Sequence, residues 1–242
     1  MTASSSRSLN DGSHGHGART PSLLKSLLYA ACIVVAVALV VVVTSATPGA
    51  FDALLGPPRA ATAAEQRAIL IAVIDHRQLA KPATRDAHGA QRRLALVNTT
   101  AALCGQPRQR LEPCAELPSQ LDNALTNSHN LSDAMIDALP RFNAEQTPLD
   151  TRTLPGVVPV DRERVAADLA KGFSPEFQQA YPQVDGIVRV SRPVVSGRGD
   201  QALLYVETAS DYQGGNQLEL FALERGQWKF VDVVGVGSSW IR

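Results

Sequence analysis

Between Leu27 and Val43 the chain runs for 17 residues without a charged side chain, and the wider apolar stretch reaches back to Leu23. As a helix the uncharged part is about 25 Å long, at about 1.5 Å per residue. A hydrocarbon core is about 30 Å thick, and Lys25 can snorkel toward the headgroups to close the gap. Its many valines do not oppose a helix, because in lipid the backbone must satisfy its own hydrogen bonds. Residues 23–43 therefore read as a transmembrane anchor. Thr44-Ser45-Ala46 resembles a signal-peptidase site, but the run exceeds a signal core of about 7–15 residues and its leader is long. Cys32 follows Tyr29-Ala30-Ala31 and lacks the upstream apolar residue that a lipidated cysteine needs, so it reads as a small filler within the bilayer.

Flanking charge sets the orientation. Arg7, Arg19 and Lys25 precede the run, and the first basic residue after it is Arg59. The positive-inside rule keeps residues 1–22 in the cytoplasm and exports the remainder, to the periplasm of a bacterium with two membranes. Residues 1–22 are small and polar and read as a disordered tail. His14 and His16 supply two imidazoles there, too few for a four-ligand metal site. An exported location agrees with the cysteines. Cys104 and Cys114 bracket nine residues with two prolines, and a disulfide across such a loop is worth about 3 kcal/mol in the chain-entropy model. Zinc would need further ligands, and no CxxC or histidine pair provides them.

The pattern after the anchor predicts a linker over 44–61 and a folded domain over 62–242, with a helical part to about 182 and a sheet over about 186–236. Thr62-Ala-Ala-Glu65 is a capping box, opening a helix with Ile69, Leu70, Val73 and Ile74 on one face and an end before Pro82. Asp75 and His76 are neighbours on this helix, and adjacent helical residues point different ways, so they read as solvated. Residues 83–118 are ambiguous, and the stretch Arg92–Leu103 is consistent with a strand or a helix. Leu131, Met135, Ile136 and Leu139 lie at helical spacing, with Pro140 as the stop. The proline-rich stretch 141–160 reads as extended across the surface. Asp161 caps a helix presenting Val165, Leu169 and Phe173, and Ser174-Pro175-Glu176 starts another. From Gly186 the period becomes two, and four strands follow as an antiparallel meander turning at 197–200, 211–215 and Arg225-Gly226. In the last strand, Asp232 either lies at a solvated rim or follows a bulge near Val231.

A sheet with one apolar face needs a cover, which the helices supply. The expectation is an α+β fold: a single transmembrane helix, then helices packed on a four-stranded antiparallel meander, in outline like the cystatin or nuclear-transport-factor-2 folds. The C-terminal 65 or so residues also resemble a pattern in uncharacterised bacterial exported and membrane-anchored proteins. The residues that carry the resemblance are Tyr181-Pro182, Gly186, Ser191, Gln201-Ala202, Tyr205-Val206, Gly214, and Gly226 with Trp228. It implies location and fold, and brings no activity with it.

Motifs with chemistry are few. Gly197-Arg-Gly-Asp-Gln-Ala202 matches a dinucleotide fingerprint in letters, but a strand follows where a helix N-terminus must hold the pyrophosphate. Arg198-Gly199-Asp200 reads as turn chemistry. Ser238 and Ser239 lack a nucleophile elbow, and His76, His88 and His129 lie in no motif. Basic and acidic residues balance at 23 each, giving no field for nucleic acid. The sequence therefore indicates no catalytic residues, no metal and no cofactor. It points to a membrane-anchored accessory domain that binds an envelope protein, with Tyr205, Glu207, Glu219 and Phe221 as its candidate binding face. The alternatives are a toxin-immunity protein, a small-ligand binder with a pocket lined by Tyr181, Trp228 and Phe230, and an exported hydrolase.

Overall fold

A computed structural model describes residues 56–79, 93–104, 115–118, 120–122, 125–126, 129 and 131–242. The anchor expected over 23–43 lies outside them. Among the described residues no helix is long and apolar enough to cross a membrane. In chain order the elements are β1 (Arg59–Ala60), α1 (Ala63–Leu79), β2 (Arg93–Val97), β3 (Gln120–Leu121), α2 (Asp133–Phe142), β4 (Val157–Val160), α3 (Arg162–Lys171), α4 (Pro175–Ala180), β5 (Val184–Val190), β6 (Val194–Val195), β7 (Gln201–Ala209), β8 (Gln213–Glu224) and β9 (Gln227–Ile241).

Among the described residues the strands form one nine-stranded sheet in the order β3-β9-β8-β7-β5-β2-β4, with β6 beside β7 and β1 beside β6. This overturns the expected four-stranded meander. The sheet is mixed, because β2 runs parallel to both β4 and β5. β2 and β4 escaped the alternation test for a physical reason. Leu94 and Leu96 face one layer of the core while Ala95 and Val97 face another, so a strand buried on both sides reads as a continuous apolar run. Likewise the stretch 141–160 is not simply surface: Leu149, Leu154, Val157 and Val160 are all buried.

Both sheet faces are covered, not one. Ala202, Leu204 and Val206 of β7 pack with Ile69, Leu70, Val73 and Ile74 of α1. Leu203 and Tyr205, the alternate residues, pack with Met135, Ala138 and Leu139 of α2. Further along this second face, Ile187 and Ala209 lie under Val165, Leu169 and Phe177 of α3 and α4. The α1 start follows its capping box, with Glu65 N–H donating to Thr62 Oγ1 at 3.3 Å and Thr62 N–H donating to Glu65 Oε2 at 2.9 Å. Arg59 clasps the same carboxylate at 2.6 and 2.7 Å. In α2, Pro140 forfeits one helical hydrogen bond, but the helix ends only two residues later. Ser174 Oγ accepts from Phe177 N–H at 3.1 Å and so caps α4 as expected.

The expected first strand is in fact two, β5 and β6, interrupted at Ser191-Arg192-Pro193. Side chains satisfy the interruption. Tyr205 N–H donates to Ser191 Oγ at 3.0 Å. Asn143, at the end of α2, accepts from Arg192 N–H at 2.6 Å and donates to the Arg192 and Leu139 carbonyls. The last hairpin turns tightly at Arg225 and Gly226, both with positive φ, which is the hairpin geometry matching strand twist. Asp232 answers its question with a bulge: Phe221 pairs with Phe230 but Leu220 pairs with Asp232, so the ladder shifts at Val231. Two more shifts follow, and β9 curls along its length.

Candidate functional site

Register decides the fate of the four expected binding-face residues. Leu204 pairs with Glu219, Tyr205 with Leu218, and Ala202 with Phe221. Paired residues share a face, so Tyr205 and Glu207 lie on the α2 side while Glu219 and Phe221 lie on the α1 side. The four do not form one open surface. Tyr205 is 1 % exposed, and Glu219 and Phe221 are 0 % exposed.

What these residues build instead is a charged pair on each face. On the α1 side, Arg77 in the last turn of the helix bonds the buried Glu219 carboxylate. Gln217 Nε2 donates to the same Oε1 at 2.6 Å. Glu219 Oε2 and Arg77 Nε have no hydrogen-bond partner among the described residues. His76 lies flat on Phe230, with ring centroids 3.6 Å apart and planes 12° from parallel, and Phe230 meets Phe221 edge-on. Burial holds the His76 imidazole below its ordinary pKa, the Glu219 carboxylate pulls it up, and Arg77 adds to the depression. His76 is thus part of the packing under α1 and not the solvated residue expected. A carboxylate without exposure, held by a guanidinium and an amide, is built to fix α1 on the sheet.

On the α2 side, Arg189 and Glu207 sit directly opposite on β5 and β7, with Arg189 Nε 2.9 Å from Glu207 Oε2. Burial pushes the Tyr205 phenol well above its usual pKa, the Glu207 charge pushes the same way, and Arg189 partly offsets both. This pair keeps some access to solvent, with Arg189 12 % and Glu207 21 % exposed. Sequence reasoning missed Arg77, Gln217 and Arg189. The usable signal was a charge centred in an apolar strand, as in Val188-Arg189-Val190 and Leu218-Glu219-Leu220, which demands an opposite charge nearby.

The other expected sites separate in space. Tyr181 packs against Phe177 in the α3–α4 cluster, whereas Trp228 and Phe230 pack under α1, so the three do not line one pocket. Beneath α1, Leu70, Val73, Ile74, Leu94 and Leu96 line a small, wholly apolar pocket with room for about one water. Ser238 Oγ accepts from Asn216 at 2.8 Å, while His129 lies 3.7 Å from Asp232. Among the described residues no hydrogen bond joins a histidine to either C-terminal serine, and no three His, Cys, Asp or Glu side chains gather in a metal-like group. His88 and Cys114 lie outside the described residues. Cys104 N–H donates to the Ala115 carbonyl at 2.9 Å, which brings the two ends of the 105–114 loop together.

The sheet's two edges differ. β4 has four residues, and Pro159 interrupts its donors. At the other edge β9 has 15 residues, and among the described residues β3 pairs with Gly235 and Val236. Beyond that point β9 carries no proline and no charge up to Ile241. Val236 and Ile241 are 56 % and 85 % exposed, and Tyr212, whose carbonyl accepts from Arg242 N–H at the end of β9, is 59 % exposed. No protein-family model, curated protein or solved structure matches this chain.

Proposed function

We propose that the chain is an accessory protein of the cell envelope, anchored in the inner membrane through residues 23–43, with its folded part in the periplasm and a binding role in place of catalysis. The observation that carries the reading is the uncharged run from Leu27 to Val43 behind Arg7, Arg19 and Lys25. The fold is compatible with it. The buried Glu219 and the partly exposed Glu207 are spent on arginine partners, and both sheet faces are spent on helices. What the protein offers a partner is then its surface and its β9 edge.

Location and binding are tested separately. A reporter enzyme that is active only outside the cytoplasm, fused after Arg242, is expected to be active, and deletion of residues 23–43 should abolish that activity. A reporter inactive on the intact chain would overturn the topology. Crosslinking in native membranes should then recover a protein that is lost when residues 62–242 are replaced by an unrelated exported domain. Equal recovery with both chains would remove the binding role.

A further inference from the structure

We propose that the exposed part of β9, residues 237–241, pairs antiparallel with the same strand of a second copy of this chain, joining two sheets into one. Independently of where the chain is anchored, the inference rests on β9 itself. Among the described residues, β3 pairs with Gly235 and Val236 and goes no further, and Leu117 ahead of it packs on the α2 side. Residues 237–241 are bonded to β8 on one side and, among the described residues, have no strand on the other. Their outward-facing amides and carbonyls form a template for another strand.

The edge lacks the usual protection. Natural edges are blocked by lysine, proline or short length, and β4 shows two of these devices. The segment Gly237-Ser-Ser-Trp-Ile241 carries neither lysine nor proline. Three of the five large apolar side chains exposed among the described residues, Tyr212, Val236 and Ile241, lie along this strand or at its end.

Its own copy is the occupant that fits best. Two identical uncharged strands meet without repulsion. Antiparallel pairing is also the arrangement a two-fold axis generates, so a single contact uses up both edges and closes the assembly. The ladder to β8 places Ser239 opposite Gly215 and Trp240 opposite Gly214. A two-fold centred on Ser239 would set this residue against its copy and Ser238 against Trp240. A hydroxymethyl group at the axis allows the close approach that directly opposed strand residues require.

The test uses the full chain in membranes. Ser239→Cys is compared with Gln227→Cys, at the hairpin tip, and with the unaltered chain, all under mild oxidation. A disulfide dimer is expected for Ser239→Cys at several times the background of the other two, with the link between the two copies of position 239 identified by mass spectrometry. The unaltered protein, extracted in mild detergent, should sediment at twice the chain mass. A monomer would overturn the proposal. So would a dimer in which the Ser239→Cys variant crosslinks no better than the Gln227→Cys variant, because the contact would then lie elsewhere.

Discussion

Arg77 and Glu219 bond across 142 residues of sequence, joining the last turn of α1 to the centre of β8 with the carboxylate wholly buried. Such a pair resists loss of one partner more than loss of both, because a lone buried charge has no compensation. Arg77→Ala should destabilise the protein by about 3 kcal/mol in urea titrations, the low end for a buried pair since Arg77 keeps some exposure. The double variant Arg77→Met/Glu219→Leu should recover most of that loss. A double variant as unstable as Arg77→Ala would show that packing, and not charge, fixes α1.

Two groups should give stability a pH dependence, in separate windows. His76 is depressed by burial, so the unfolded chain takes up its proton first. Its contribution is full above the ordinary histidine value of about 6.5 and is lost as pH falls through the lower native value. His76→Gln should flatten that decline. Glu65 is held down at about 2, chiefly by the Arg59 hydrogen bonds. Its contribution is present above the ordinary carboxylate range and disappears as pH falls toward 2. Glu65→Gln should therefore cost about 0.5–1 kcal/mol at neutral pH, since the pair is largely solvated, and progressively less as pH falls through about 2. Urea midpoints measured from about pH 2 to about pH 8 separate the two.

Asn143 is 1 % exposed and serves three backbone groups at the β5–β6 interruption. Asn143→Leu should leave Arg192 N–H without its acceptor and cost about 1–3 kcal/mol. Hydrogen exchange at the Arg192 amide should accelerate in the same variant. An unchanged exchange rate there would mean that the interruption is held by other contacts.

Gly214 lies against the Trp240 ring, where an added Cβ would come within 2.7 Å of the indole Nε1. That indole donates to the Leu169 carbonyl at 3.3 Å and ties the end of β9 to α3. Gly214→Ala should displace the ring and cost about 1–3 kcal/mol, as overpacking does. In a Trp240→Leu background the same change should be nearly neutral. Equal costs in the two backgrounds would mean that the ring is not what the alanine meets.

Thiol counts test the loop at 105–114. With Cys104 paired to Cys114, denatured unreduced protein should show one reactive thiol, Cys32, and three after reduction. Three thiols before reduction would remove the disulfide and weaken the exported location with it.

Most local signals in the sequence stand where they are expected, Asp161 excepted, whose carboxylate accepts from Asn98 Nδ2 and does not cap α3, while distant pairings were not legible. Thr62 and Glu65, the Ser174 cap and the Arg225-Gly226 turn are short-range chemistry, and each stands where it was expected. The apolar face of α1 also stands, because 3.6-residue periodicity is written within the helix itself. The sheet was underestimated because β2 is short and buried on both faces, β4 is a four-residue edge strand interrupted by Pro159, and their partners lie far along the chain. The binding face failed on a single-residue register. Placing Tyr205 opposite Leu218, not Glu219, sends Glu207 and Glu219 to opposite faces.

The span of 142 residues between Arg77 and Glu219 also has a consequence in time. Synthesis at about 5–20 residues per second leaves roughly 7–30 s between the two side chains leaving the ribosome. β1 waits nearly as long, since Ala60 pairs with Val194. During that interval β2 becomes available beneath the apolar stripe of α1 well before β7 and β8 do. The nascent chain must therefore be shielded or kept extended until β8 and β9 arrive, and mutations that slow elongation late in the message should cost yield without changing the finished protein.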